Sequence, residues 1–171
     1  VETCKALFKA AADAGCDAVK LQKRDNKSLF TEEMYNQSYN SENAFGPTYG
    51  AHREALEFGW DEYVELKAYA ESLGLIFFAT AFDIPSAIFL NQLGVPAFKI
   101  DSGDLTNLPL IRHVAAYGKP VIISTGGGTA QAVYDAVSPM TAYERRSGLP
   151  QQVAILQCTA AYPCPPEELN L

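Results

Sequence analysis

The chain has 171 residues, a formal net charge of −7, and 48% hydrophobic against 19% charged residues. That composition belongs to a globular chain, not a disordered one. Its acidity argues against a nucleic-acid or anionic-membrane partner, yet leaves room for a small anionic substrate held by a few local lysines.

In chain order, a helical pattern comes first: Cys4, Leu7, Ala11 and Ala14 share one face and Gly15 ends it. Residues 17–22 read as a buried strand. Residues 23–60 form a segment too long for an ordinary strand-to-helix loop. It is polar but carries Phe30, Tyr35, Tyr39, Phe45 and Tyr49, with a short helix expected near 51–58. A lid or subunit contact is the functional reading of this insertion, and a solvated decoration is the alternative.

Asp61 then caps a helix with Tyr63, Leu66, Ala70 and Leu73 on one stripe, ended by Gly74. A strand follows at 75–80, and Asp83 caps the next helix, with Pro85 in its first turn and Gly94 at its end. A strand at 97–101, a helix at 108–117, a strand at 120–124, a helix at 130–140 and a strand at 153–157 complete the alternation. Val1 already lies in a helical pattern, and Pro165-Pro166-Glu167-Glu168 opens another, so both termini read as cut.

Alternating strands and helices imply a parallel sheet with right-handed crossovers. No Gly-x-Gly-x-x-Gly follows a strand, which disfavours a dinucleotide fold. Polar residues end every strand, as in a barrel whose loops share one site. The expected fold is therefore α/β, a partial TIM (β/α)8 barrel covering about strands 2 to 6. A closed barrel needs eight strands and typically ~250 residues, so such a chain on its own is expected to be marginal or aggregation-prone.

The strand ends carry the chemistry. Lys20 and Gln22 share a face by alternation, and Lys99 ends a second strand. Two lysines at the ends of buried strands are costly unless they meet an anion. Thr80, Ser102, Ser124 and Thr159 add hydroxyls, a set suited to a phosphate and a carboxylate. For each lysine alone, a snorkelling salt bridge is the ordinary reading. Asp101 faces away from Ser102 by strand alternation and reads as structural. The Gly126–Gly128 run lacks the Lys-Ser/Thr ending of a P-loop and reads as a tight turn whose amides could face a phosphate. His52 and His113 have no partner at metal spacing and read as ordinary surface or packing residues. Lys23 and Arg24 read as solvated basic residues, with a preference for a phosphorylated substrate as the alternative. The four cysteines, Cys4, Cys16, Cys158 and Cys164, form no Cys-x-x-Cys pair and read as free thiols in a reducing compartment. No apolar run is long enough to span a bilayer.

Several stretches resemble one family. They are Ala14-Gly15-Cys16-Asp17-Ala18-Val19-Lys20-Leu21-Gln22, the run from Val95-Pro96-Ala97-Phe98-Lys99 through Ser102-Gly103-Asp104 to Pro109, Val121-Ile122-Ile123-Ser124-Thr125-Gly126, and Leu156-Gln157-Cys158-Thr159 through Tyr162-Pro163 to Asn170-Leu171. Together they resemble the N-acetylneuraminate (sialic acid) synthase family over essentially the whole chain, with 99–109 the most specific part.

The resemblance implies a cytoplasmic enzyme that condenses phosphoenolpyruvate with N-acetylmannosamine, its 6-phosphate or a related amino sugar. The product is a nine-carbon keto acid plus phosphate. It places Lys20, Thr80, Lys99, Ser102 and Ser124 on phosphoenolpyruvate and Gln22 and Tyr162 on the sugar. Asp104 takes an acidic position near the metal and the anion, with Lys20 and Lys99 as its catalytic companions. Ala160 stands where several bacterial members have Asn, and Gly127 replaces a common Met. The resemblance also implies a divalent cation, Mn²⁺, whose ligands lie outside this chain. It implies a homodimeric full-length protein with an antifreeze-like C-terminal domain absent here, so the chain by itself is expected to be inactive. Two other readings of the lysines stand beside this one: a Schiff-base aldolase, and a non-catalytic incomplete barrel.

Overall fold

The computed structural model describes residues 1–169; Asn170 and Leu171, the last residues of the resembling stretch, lie outside the described residues. In chain order the elements are α1 (Glu2–Asp13), β1 (Ala18–Lys23), the short helices α2 (Asn26–Leu29), α3 (Glu32–Asn36) and α4 (Tyr49–Glu54), then α5 (Trp60–Ser72) and β2 (Ile76–Ala81). There follow α6 (Ile84–Gln92), β3 (Phe98–Ile100), a 3-10 turn (Ser102–Asp104), α7 (Leu108–Ala115), β4 (Val121–Ser124), α8 (Ala130–Ser147), β5 (Val153–Leu156) and a second 3-10 turn (Pro166–Glu168).

All strand pairs are parallel, and the order in the sheet is β1-β2-β3-β4-β5. A doubly wound sheet reverses its order at a switch point; this one never does. Right-handed crossovers that always step the same way keep every crossover helix on one face. The result is an arc of a (β/α)8 barrel.

Register defines its two faces. Leu21, Ala79, Phe98, Val121 and Val153 form one outward layer. Phe77, Ala79, Phe98, Ile100 and Ile123 are at most 1% exposed there, under Leu66, Leu90, Ile111 and Met140 from the helices. One residue along, Gln22, Thr80, Lys99, Ile122 and Ala154 form the matching inward layer.

Local chemistry sets the ends. Asp83 caps α6 by accepting the Ser86 N–H at 2.7 Å, with Pro85 in the first turn where no amide is needed. Thr129 caps α8 by accepting the Ala132 N–H at 3.2 Å, and Gly148 closes it with φ 70°. This helix runs to Ser147, past the 130–140 expected, because Pro139 is accommodated inside it. The α5 helix starts at Trp60, so Asp61 lies in its first turn and not at its cap; Glu62 instead accepts the Gly59 N–H at 3.0 Å. The buried stripe of α1 is centred on Phe8, with Cys4 and Ala11 partly covered, while Leu7 is 63% exposed and Ala14 is exposed. A β5 expected to be buried is mostly open: Ile155 and Leu156 are exposed because it is the edge of the described sheet. Pro165-Pro166-Glu167-Glu168 gives only a 3-10 turn.

Candidate active site

The inner face of the arc gathers side chains from four strands. Lys20 from β1 reaches across to β2, where its Nζ donates to Thr80 Oγ1 at 3.2 Å. Thr80 is 1% exposed, and the bond it accepts leaves its own proton to give. Lys99 is buried, and its Nζ donates to the Ile100 carbonyl. Burial lowers both lysine pKa values from 10.5. Asp101 pulls each of them back up, and the Lys20 charge pushes Lys99 further down. Two ammoniums and the Asp101 carboxylate that both feel sum to a net positive charge.

Asp101 takes part in the site, beyond the structural role expected of it: it follows Ile100, the last residue of β3, and alternation carries it to the same side as Lys99, while Ser102 leaves the strand through the 3-10 turn. It is the acid felt by both lysines, and its Oδ2 caps the 3-10 turn by accepting the Gly103 N–H at 3.3 Å. That turn brings Ser102 back to the site: Ser102 Oγ accepts the Gly126 N–H at 3.0 Å and keeps its own proton free to donate. An added Cβ on Gly126 would meet Ser102 Oγ at 3.0 Å and Cys158 Cβ at 3.5 Å, so a side chain there would press on the Ser102 hydroxyl. Of the expected amide cradle, the Gly128 N–H is bound to the Thr125 carbonyl at 3.0 Å and the Gly126 N–H to Ser102. Ser124, at 7% exposure, ends β4 on the inner side.

Other expected residues fall elsewhere. Asp104 sits in the 3-10 turn, and its Oδ1 accepts from Asn107 Nδ2 at 3.0 Å. Burial pushes its carboxyl up from 3.8, against that hydrogen bond. Thr159 is not a free hydroxyl donor: its Oγ1 donates to the Glu168 carbonyl at 2.8 Å. Tyr162 stands fully exposed. His52 accepts the Phe45 N–H at its Nδ1 and lies between Tyr39 and Phe45, while His113 Nε2 meets Tyr117 Oη at 2.8 Å. Both histidines pack. Among the described residues no group of three or more His, Cys, Asp or Glu side chains could hold a metal ion, so this face does not fit a cation by itself. All four cysteines are free. Among the described residues no helix is long and apolar enough to cross a membrane.

The insertion is anchored over the C-terminal end of β1. Glu57 Oε2 takes Lys23 Nζ at 3.2 Å and the Arg24 N–H at 3.3 Å, and Asp83 Oδ2 takes the Asp25 N–H at 2.7 Å. Tyr63 Oη donates to the Gln22 carbonyl at 2.9 Å. The aromatic residues of the insertion pack on one another, Phe30 and Tyr39 edge-on to Tyr49. A cleft of about 420 Å³ opens beneath it, lined by Lys20, Leu21, Gln22, Arg24, Arg53, Leu56 and Glu57. Lys23 and Arg24 are therefore not freely solvated; their side chains are 13% and 14% exposed.

Comparison with known proteins gives one consistent picture. A family model described as the NeuB family matches residues 7–171. The N-acetylneuraminate-9-phosphate synthase of Drosophila melanogaster is 41% identical over 171 residues, covering 100% of this chain and 45% of that protein. The Mus musculus protein of the same name is 36% identical over 174 residues, covering 100% of this chain and 46% of that protein. The crystal structure of an N-acetylneuraminic acid (sialic acid) synthetase from Leptospira borgpetersenii, in complex with citrate, superposes with a TM-score of 0.78 at 28% identity. It covers 98% of this chain and 52% of that one. The chain thus spans under half the length of the curated relatives.

Proposed function

Because the chain belongs to the NeuB family, we propose that its inner face holds phosphoenolpyruvate for condensation with an N-acetylated amino sugar: N-acetylmannosamine, its 6-phosphate or a close relative. The product would be N-acetylneuraminate, its 9-phosphate or a related nine-carbon acid, with phosphate released. The observation that carries this reading is the pairing of Lys20 and Lys99 on one face beside Thr80, Ser102 and Ser124. Relatives printed as N-acetylneuraminate-9-phosphate synthases support it.

In this reading the two ammoniums neutralise the carboxylate and phosphate, and the hydroxyls of Thr80, Ser102 and Ser124 donate to their oxygens. Held in that way, C3 of the enol attacks the aldehyde carbon and forms the new carbon–carbon bond. Water adds at C2, and the C2–O bond to phosphate breaks as the ketone forms. One proton of that water ends on the former aldehyde oxygen and the other on phosphate. Burial raises the Asp104 carboxyl above its ordinary value, which favours a proton-passing role for it, and the family resemblance assigns Gln22 and the exposed Tyr162 to the sugar. The family resemblance calls for Mn²⁺, which would supply Lewis acidity; the described residues supply no ligand set for it. A homodimer and a cytoplasmic location complete the proposal, on the resemblance and on four free thiols.

The test is phosphate release coupled to keto-acid formation, measured on the protein encoded by the complete reading frame. Lys99→Met should lower kcat/KM for phosphoenolpyruvate by roughly 10²-fold or more, the scale of removing one preorganised charge. An unchanged value would overturn the reading. Trapping of pyruvate on the protein by borohydride would instead mark a Schiff-base aldolase.

A further inference from the structure

The cleft under the insertion holds more positive charge than its one acid answers. Among the described residues that line it, the one carboxylate is Glu57, and that group is already engaged by Lys23 Nζ at 3.2 Å and the Arg24 N–H at 3.3 Å. Arg24 NH1 lies 3.9 Å from Glu57 Oε1. The Arg24 guanidinium lies over Phe82, its Cζ 3.8 Å from the ring centroid, and its NH2 donates to Gln22 Oε1 at 2.8 Å. It is thus held in place with donors to spare. Arg53 lines the same cleft from α4, with the Tyr49 ring 5.7 Å away and no carboxylate within ion-pair distance among the described residues. The two guanidiniums are near enough that Arg53 helps depress the Arg24 pKa, after burial. Like charges gathered in a shaped cleft cost free energy unless an anion joins them.

We infer that Arg24 and Arg53 form a second anion subsite, distinct from the Lys20–Lys99 pair, that takes the distal phosphate of the acceptor sugar. This rests on the proposed condensation. Gln22 links the two subsites: it shares the inward layer with Thr80 and Lys99, and its amide oxygen holds Arg24. A sugar laid along Gln22 with its aldehyde toward Lys99 directs its other end to the arginines. The cleft's volume of about 420 Å³ accommodates the tail of a phosphorylated hexosamine. The insertion is then a specificity element, because it alone supplies Arg53.

The experiment compares kcat/KM for N-acetylmannosamine 6-phosphate and N-acetylmannosamine, in the protein encoded by the complete reading frame. The unaltered protein should prefer the phosphorylated sugar by roughly tenfold or more, the scale of one charge-assisted bidentate contact. Arg53→Gln should cut that preference by about tenfold, and Arg53→Lys should keep part of it. Inorganic phosphate should compete with the phosphorylated sugar more weakly in Arg53→Gln. Turnover of the neutral sugar without preference for its phosphate overturns the subsite and leaves the condensation standing. A preference unchanged in Arg53→Gln also overturns it. No phosphoenolpyruvate consumption with either sugar overturns the condensation itself.

Discussion

The two faces of the sheet are built from the same strands and obey opposite rules. The outer face is Phe77, Ala79, Phe98, Ile100 and Ile123, closed by the helices and dry. The inner face, one residue out of phase, carries Lys20, Gln22, Thr80, Lys99 and Ser124, with net positive charge and hydroxyls that retain protons to donate. Because strand side chains alternate, a single residue step in β3 separates the packed side chains of Phe98 and Ile100 from Lys99 on the inner face. Packing is concentrated on one face and the proposed recognition on the other.

The sharpest way to break that division is to change neighbours in β3. Phe98→Ala removes a fully buried ring that stacks on Tyr117 at 5.4 Å and should cost about 3–5 kcal/mol of stability. Lys99→Met, one residue along, removes a charge that burial already disfavours. It should leave the unfolding midpoint unchanged or higher while abolishing anion affinity. Denaturant unfolding and phosphoenolpyruvate titration of both variants decide this; a large stability loss in Lys99→Met would refute the division.

A smaller effect is expected where the faces are stitched to the insertion. Asp83 holds both the first turn of α6, through Ser86 N, and the start of the insertion, through Asp25 N, each at 2.7 Å. Asp83→Ala should cost about 1–2 kcal/mol through the lost cap and raise hydrogen exchange around residues 25–28. If exchange rises only in α6, the insertion is held by Glu57 alone.

Much of this was legible beforehand. Apolar runs between turn residues located all five strands within a residue or two, and alternation put Lys20 and Gln22 together. What alternation cannot see is where a strand stops. Asp101 belongs with Lys99 because the strand continues its phase one residue past Ile100, and Ser102 returns through a 3-10 turn. Arg53 was equally invisible, because 28 residues of chain separate it from Arg24, and that segment is folded back by the Ser38–Thr48 bridge and the packing of Tyr39, Tyr49 and His52. Thr159 looked like a donor because its local sequence says nothing of the Glu168 carbonyl that occupies it.

The smallest change should come from Thr80→Val, which keeps the side chain's shape on the inner face and deletes the acceptor for Lys20. A single hydrogen bond to a charged group is worth about 1.5–3 kcal/mol, but Lys20 is also open to solvent, and water replaces part of it. Phosphoenolpyruvate affinity should fall by about fivefold, near 1 kcal/mol. The pH profile carries more information than the magnitude. Burial already sets the Lys20 and Lys99 pKa values below 10.5, and an anion needs both protonated. Affinity is therefore full at low pH on this limb and lost as pH rises through the lowered values, earlier than for a free lysine. Removing the Thr80 acceptor takes away stabilisation of the ammonium, so the limb should move to still lower pH. A limb that stays in place would show that the Thr80 hydroxyl serves the ligand and not Lys20.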